Sequence, residues 1–179
     1  MRNKYVSRIR EYVRRTPVAT IGSILALVPD REYGHVIVNY LVKRGELRRI
    51  TRGYYTVHDE PSLLVYCMRP AYLGLQDAMS FHDLWEQETN PVVITAKKVR
   101  PGVREVLGQN VWVRRISPRH FFSFEYMPGG DFLLPVSDPE KTLIDLVYFR
   151  KMREDLAEMF REKIDRKKLE IPKRIWAQF

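Results

Sequence analysis

Residues 28–57 read VPDREYGHVIVNYLVKRGELRRITRGYYTV and predict a helix followed at once by a β-hairpin. Asp30 is a typical N-cap residue, and Gly45 favours a helix end. At 100° per residue, the face expected to pack inward carries Tyr33, Ile37, Tyr40, Leu41 and Arg44. The opposite face carries Arg31, Glu32, His35, Asn39 and Val42, with Val36, Val38 and Lys43 on the flanks.

The hairpin follows from a change to strand composition after Gly45. Residues 46–50 and 54–57 are the predicted strands, and Thr51-Arg52-Gly53 is predicted to be a three-residue loop with glycine where a positive φ is easiest. A helix followed by a ribbon carrying Arg48, Arg49 and Arg52 is typical of a recognition helix and wing. The alternative is an ordinary surface helix and hairpin with solvated arginines.

Two shorter segments precede this unit. Residues 5–13 predict an amphipathic helix that ends at Thr16-Pro17, and Val18-Ala19 predicts a short strand. Thr20 is expected to cap a second helix, whose apolar face is Ile21, Ile24, Leu25 and Val28. This second helix and the helix capped by Asp30, the third in the chain, together predict a helix-turn-helix. Residues 1–57 are therefore interpreted as a winged helix-turn-helix DNA-binding domain.

The charge distribution supports this interpretation. Residues 1–57 hold 12 Lys and Arg against 4 Asp and Glu, whereas residues 58–150 hold 10 against 12. Residues 151–179 hold 9 against 6, and the whole chain carries +9. Positive charge gathered in the first third favours a module that faces nucleic acid.

Cysteine and hydropathy restrict the compartment. The one cysteine, Cys67, has no partner for an intrachain disulfide and lies in an apolar run, so we expect a core residue in a reducing, cytoplasmic protein. A reactive thiol is the alternative. No apolar run approaches the ~20 residues that span a bilayer, so no membrane association is expected.

Residues 62–179 predict a second domain beyond a linker at residues 58–61. Residues 62–67 form either a short helix or a buried strand, and a helix is expected to end near Trp85. The predicted strands are residues 91–96, 111–116, a half-buried strand with Phe122, Phe124 and Tyr126, and residues 132–136.

Asp138 is expected to cap a helix whose core face is Leu143, Ile144, Val147 and Tyr148. A basic helix is expected from about Arg150 to Lys168, with cations at Arg161, Lys163, Arg166, Lys167 and Lys168 and an end before Pro172. The fold class is therefore α+β, with helices on one face of a small antiparallel sheet.

Three segments carry a family resemblance. They are LVKRGELRRITRGYY at residues 41–55, AYLGLQDAMSFHDL at residues 71–84 and VSDPEKTLID at residues 136–145. In this order they resemble the AbiEi family, the DNA-binding antitoxins of a type IV toxin–antitoxin system and related regulators. The resemblance implies a repressor that binds repeats at its own promoter, with a nucleotidyltransferase-like toxin from a neighbouring gene.

The candidate DNA contacts are the outward residues of the third helix and the hairpin arginines: Arg31, Glu32, His35, Asn39, Lys43, Arg48, Arg49 and Arg52. Arginine grips guanine and asparagine pairs with adenine in the major groove, while His35 suits a base or a phosphate. The hairpin arginines suit phosphate or minor-groove contact. Double-stranded DNA is the expected partner. A homodimer is a further candidate, and the second domain is expected to serve dimerisation, partner binding or additional DNA contact.

Two alternatives remain. Asp138, Glu140, Lys141 and Asp145 form the candidate site of a metal-dependent nuclease, although Asp138 also suits a helix cap and Asp145 an exposed helix face. A partner-binding adaptor without DNA affinity is the other alternative. The four histidines have no metal-ligand spacing with Cys67, so no cofactor and no enzymatic activity are expected.

Overall fold

The computed structural model describes residues 2–87, 89–160 and 164 of the chain. Its first part contains helices α1 (Arg2–Arg14), α2 (Ile21–Leu25) and α3 (Arg31–Lys43), with strands β1 (Ala19–Thr20), β2 (Arg48–Thr51) and β3 (Tyr54–Thr56). The three strands form an antiparallel sheet in the order β1-β3-β2. One apolar cluster, with Ile9, Ile24, Ile37, Leu41 and Leu47 among its members, lies between the helices and this sheet.

The side chains of the predicted N-cap residues cap the amino-terminal ends of α2 and α3. The hydroxyl of Thr20 accepts a hydrogen bond from the Ser23 amide at 3.0 Å. A carboxylate oxygen of Asp30 accepts one from the Tyr33 amide, also at 3.0 Å. These bonds satisfy amide groups that have no partner within the helix. Gly45 has a φ of 70°, which confirms the predicted helix end.

The buried stripe of α3 differs from the predicted one. Gly34, Ile37, Val38 and Leu41 are buried, whereas Tyr40 is 45% exposed. Arg44 is exposed as well, and its guanidinium carbon lies 5.5 Å from the centre of the Tyr40 ring. The stripe is rotated because α3 contacts α2 through Gly34, which brings Val38 inward and leaves Tyr40 outside.

The hairpin is tighter than predicted. Thr51 pairs with Tyr54, so the loop consists of Arg52 and Gly53 alone, with a φ of 81° at the glycine. β2 begins at Arg48 because the preceding amides of Glu46 and Leu47 donate to the Leu41 carbonyl oxygen at 3.0 and 3.2 Å. Those two residues therefore belong to the turn after α3.

The second part is α+β, as the sequence predicts. Its helices are α4 (Leu64–Cys67), α5 (Gln76–Phe81), α6 (Pro139–Tyr148) and α7 (Glu154–Phe160), with 3₁₀ turns at Pro61–Leu63 and Pro118–His120. Its strands are β4 (Ala71–Leu73), β5 (Val92–Thr95), β6 (Gly102–Val106), β7 (Gln109–Arg115), β8 (Phe124–Gly129) and β9 (Phe132–Ser137). Residues 62–67 are thus helical, and Cys67 is a buried core residue.

The prediction of a small antiparallel sheet is wrong. The six strands form one mixed sheet in the order β6-β7-β5-β4-β9-β8. β4 runs parallel to β9 and β5 runs parallel to β7, while the other neighbours are antiparallel. The parallel pairs arise because the first strand of each outer hairpin, β6 or β8, lies at an edge of the sheet, and the second strand, β7 or β9, returns beside a central strand, β5 or β4.

Helices cover both faces of this sheet, not one. Leu73 and Val93 pack in a cluster with Leu63 and Leu64, whereas their neighbours on the same strands, Tyr72 and Ile94, belong to a second cluster with α6 and α7. Strands buried on both faces lack the alternation of polar and apolar residues. The longer apolar run at β5 was predicted as a strand, whereas no strand was predicted at the three residues of β4.

The buried face of helix α6 also differs from the predicted one. Leu143, Ile144 and Leu146 are buried, but Tyr148 is exposed and Val147 is only half-buried. α5 ends at Phe81, before Trp85. The basic residues expected on the last helix, Arg161, Lys163, Arg166, Lys167 and Lys168, and the predicted end before Pro172 lie outside the described residues.

The two parts share apolar contacts. Ile50 belongs to the same buried cluster as Leu63 and Leu64, and Val18 and Tyr54 pack against it. The small sheet of the first part is therefore covered on one side by the start of the second. Within the described residues, no helix has the length and apolar character that crossing a bilayer requires.

Candidate nucleic-acid interface

Close packing between α2 and α3 determines which side of α3 faces outward. A Cβ atom built on Gly34 would lie 2.8 Å from Cγ2 of Val28 and closer still to a methyl group of Leu25. Both of these side chains are buried, so only glycine allows this approach of the two helices. The inward side of α3 is thereby fixed, and its opposite side is left open to solvent.

The outward side carries polar residues at a spacing of four. Arg31, His35, Asn39 and Lys43 are all exposed, as is Glu32 beside the first of them. At about 1.5 Å of rise and about 100° of rotation per residue, the four residues extend over roughly 18 Å and turn by about 120° around the helix, so that Lys43 lies on its flank. This is a continuous row of donors and acceptors at the surface.

The hairpin arginines lie beyond the carboxyl end of α3. Arg48, Arg49 and Arg52 are exposed, and Arg48 forms an ion pair with Asp59. The Nε atom of Arg49 donates to the Thr51 carbonyl oxygen at 3.4 Å, a long bond that restrains it little. All eight predicted contact residues are therefore accessible, and none is covered by the described residues of the second part, 62–87, 89–160 and 164.

Two further cations near α3 are held in ion pairs that the sequence did not reveal. The Nε and Nη2 atoms of Arg10 lie 2.6 and 2.9 Å from the two carboxylate oxygens of Glu46. The Nε atom of Arg44 lies 2.8 Å from the same carboxylate. Hydrogen bonds from Arg10, and then from Arg44, hold the pKa of Glu46 below its usual value. We call Arg10, Arg44 and Glu46 the clamp, since they join α1 to the turn after α3.

The four residues of the nuclease hypothesis do not form an open site. Lys141 and Asp145 form an ion pair, and both side chains are 0% exposed. The expectation that Asp145 occupies an exposed helix face is therefore wrong. Asp138 caps α6, since its carboxylate accepts the Lys141 amide at 2.6 Å, and Glu140 is buried in the first turn.

A tyrosine completes the buried polar group. The hydroxyl of Tyr72 donates to the second carboxylate oxygen of Asp145 at 2.8 Å. Burial lowers the pKa of Lys141 and raises that of Asp145, while their mutual attraction opposes both shifts. These three side chains join α6 to β4 on the face of the sheet that α6 covers. The nuclease hypothesis stays a prediction that this geometry does not favour.

Metal ligation finds no support in the same part of the chain. Across residues 2–87 and 89–160, no three side chains of His, Cys, Asp or Glu lie together in a way that would hold a metal ion. His82 bonds through Nε2 to the Ser137 carbonyl oxygen at 2.8 Å. Burial raises the pKa of the Cys67 thiol to about 12, which keeps it protonated and unreactive.

A second group of cations escaped the sequence reasoning. Lys97, Lys98, Arg100, Arg104, Arg114 and Arg115 fall within 19 residues that contain a single acid, Glu105. The charge count over the whole of residues 58–150 concealed these cations, because the other acidic residues of that range lie outside the 19-residue stretch. A charge count in shorter windows would have found this group. No protein-family model matches the chain, and no curated protein matches it either.

Proposed function

We propose that this protein is a sequence-specific DNA-binding transcriptional regulator, in which residues 1–57 form a winged helix-turn-helix. The observation that carries the proposal is the exposed row of Arg31, His35, Asn39 and Lys43 on α3, next to a hairpin with three exposed arginines. α2 and α3 correspond to the helix-turn-helix, and the β2–β3 hairpin corresponds to the wing.

In this proposal α3 is the recognition helix and lies in the major groove. Arg31 and Asn39 are suited to guanine and adenine edges, respectively, and His35 lies between them. Glu32 is suited to accept from cytosine or to repel a wrong base. The three hairpin arginines contact phosphates or the adjacent minor groove. Arg52 lies in the loop at the tip of the hairpin, which reaches far but positions its side chain loosely, whereas Arg48 and Arg49 lie on β2.

In this proposal the clamp fixes the orientation of α3. A recognition helix discriminates bases only when its orientation is fixed to a fraction of an ångström. Arg10 on α1 and Glu46 after α3 are 36 residues apart in sequence and are joined by two hydrogen bonds. We interpret these bonds as holding α3 at a constant angle to the rest of the domain.

The resemblance to the AbiEi family extends the proposal. On that basis the protein represses its own promoter as an antitoxin-like regulator, and the neighbouring gene encodes a nucleotidyltransferase-like toxin. Residues 62–179 then serve dimerisation, contact with a partner or additional contact with DNA. The compartment in this proposal is the cytoplasm.

The test is a binding titration with the full chain. Fluorescence anisotropy is measured with short duplexes that tile the DNA upstream of the gene, and with scrambled duplexes of the same composition. We expect one or two fragments to bind at least about tenfold more tightly than the scrambled DNA, with affinity that falls steeply between about 50 and 200 mM salt. Equal binding to every fragment would contradict sequence specificity. Binding to none would favour the adaptor.

A further inference from the structure

Strand β6 (Gly102–Val106) lies at one edge of the six-stranded sheet and pairs only with β7 among the described strands. Val103 stands opposite Trp112 in that ladder. The amide of Trp112 donates to the Pro91 carbonyl oxygen at 2.8 Å, on the side away from β6. Since opposite residues of an antiparallel ladder alternate between bonded and non-bonded pairs, the N–H and C=O of Val103 point to the open side. The same holds for Glu105, two residues further on.

Apolar side chains accompany this open backbone on one face. Val103 is 48% exposed and Trp112 is 39% exposed, and they are neighbours across the ladder. The guanidinium carbon of Arg114 lies 5.4 Å from the centre of the Trp112 ring and fixes its orientation. On this face a strand placed beside β6 would meet Val103 and the Trp112 ring, with Arg114 against that ring and the exposed Glu105 side chain two residues along β6.

The other face of the same edge is cationic. Arg104 alternates with Val103 and therefore projects to the opposite face, where one Nη2 atom donates to the Arg100 carbonyl oxygen at 3.1 Å. Arg100, Pro101, Gly102, Val103 and Arg104 line an open cavity of about 450 Å³. Lys97 and Lys98 precede it in the loop from β5. An added strand would meet positive charge here.

We propose that the β6 edge receives an extended segment of a partner protein, in which acidic and apolar residues alternate. The segment adds a strand to the sheet, its backbone pairing with Val103 and Glu105. Its apolar side chains contact Val103 and Trp112, and its carboxylates face Arg100 and Arg104. This proposal does not depend on DNA binding by residues 1–57.

Nucleic acid is the other polyanion that this surface suggests, but it accounts for less of the geometry. Phosphates would use the cations and leave the open backbone of β6 and the exposed Val103 without a role. The opposite sheet edge, β8, carries exposed Phe124 and Tyr126, which corrects the expectation of a half-buried strand. β8 itself carries no Lys or Arg, and none of the described residues near it indicates what would cover it.

The test uses the full chain and a fluorescent, blocked heptapeptide in which valine and glutamate alternate. The control peptide has lysine in place of glutamate. Val103→Pro removes an N–H that points away from β7, so the sheet keeps its ladder, and Val103→Thr is the matched control with the N–H retained. We expect binding of the acidic peptide to weaken about tenfold in Val103→Pro and about three- to tenfold in Arg104→Gln, with Val103→Thr unchanged.

Hydrogen exchange provides a second measurement that does not require a variant. The amides of Val103 and Glu105 should exchange more slowly when the acidic peptide is added at saturation. Unchanged exchange at both amides would overturn the proposal. So would peptide binding that survives Val103→Pro and is displaced by a duplex of unrelated sequence, because the surface would then be a contact for nucleic acid.

Discussion

Arg31 and Arg52 have the same charge but different positions, and the proposed function assigns them different roles. Arg31 lies in the first turn of α3 and points outward from a fixed helix, whereas Arg52 lies in the two-residue hairpin loop. We predict that Arg31→Ala reduces the ratio of specific to scrambled affinity by roughly five- to a hundredfold, the value of one base contact. Arg52→Ala should weaken both affinities about equally. If Arg31→Ala leaves both unchanged, Arg31 does not contact the DNA.

The predicted contact residues could be chosen from sequence because each is polar, outward and close to the chain's highest charge density. Buried polar residues gave no such signal. Lys141 and Asp145 resemble any i, i+4 pair on a solvated helix, and only the strands packed over α6 reveal that both are enclosed. Tyr72, the third member, is 73 residues away from Asp145 in sequence.

The effect of burial on the pKa of Asp77 can be tested by measuring stability as a function of pH. Burial raises its pKa to about 7, although its carboxylate accepts the Val92 amide at 3.2 Å. Because the folded state favours the protonated form, this group contributes stability below the unfolded pKa of about 4 and loses it as the pH rises through 7. Asp77→Asn keeps the acceptor and cannot ionise.

We therefore predict that the unfolding free energy of wild type falls relative to Asp77→Asn between pH 5 and pH 8, by roughly 1–4 kcal/mol. Urea unfolding of both proteins at the two pH values measures the difference. Parallel pH dependence in wild type and variant would show that Asp77 ionises normally in the folded protein.

At the scale of elements, the clamp determines how α1 and α3 are joined. Glu46→Gln removes both ion pairs and also removes a negative charge close to the proposed DNA surface. Electrostatics alone would strengthen DNA binding, whereas loss of orientation weakens it. We predict specific affinity several-fold below wild type.

Glu11→Gln is the matched control for the clamp. It removes the same charge from α1, where Glu11 pairs with Arg15 at an exposed position. This variant should bind DNA as well as wild type or slightly better. Equal behaviour of the two variants would mean that Glu46 acts only through its charge.

Gly34 tests the contact between α2 and α3. Alanine has the better helix propensity by about 1 kcal/mol, but its methyl group would meet Val28 at 2.8 Å in a buried layer. We predict a net loss of about 1–2 kcal/mol in unfolding free energy, measured by urea unfolding. Gly22→Ala is the control, because the nearest atom to a Cβ there is the Thr20 hydroxyl at 3.8 Å. Stabilisation in both variants would show that the helices have room to separate.

Helix starts marked by a capping residue were predictable from sequence: the N-cap residues of α2, α3 and α6 are Thr20, Asp30 and Asp138, respectively. The inward side of α3 was not, since the helical periodicity of Tyr33, Ile37 and Tyr40 competes with a nearly equal stripe through Val38. A close approach at Gly34 selects between the two stripes, and that depends on the position of α2.

For the whole molecule, the succession of predicted helices and strands indicated the α+β class but not the topology of the larger sheet. β4 has three residues and is buried on both sides, so neither its length nor its pattern separates it from a loop or a helix. β6 was missed because Gly102 and Arg104 interrupt its apolar residues. Long-range pairing alone, such as Leu73 opposite Val136, establishes the mixed sheet.

The central claim is that α3 lies in the major groove of a specific DNA site, with Arg31 on a guanine edge. Dimethyl sulfate probing of the tightest upstream fragment measures this directly, because the reagent methylates guanine N7 in that groove. We predict that the full chain protects one or more guanines, and that Arg31→Ala exposes at least one of them at a concentration that still saturates the DNA. Saturating, sequence-specific binding that leaves every guanine N7 reactive, or protection identical in wild type and Arg31→Ala, would contradict the account.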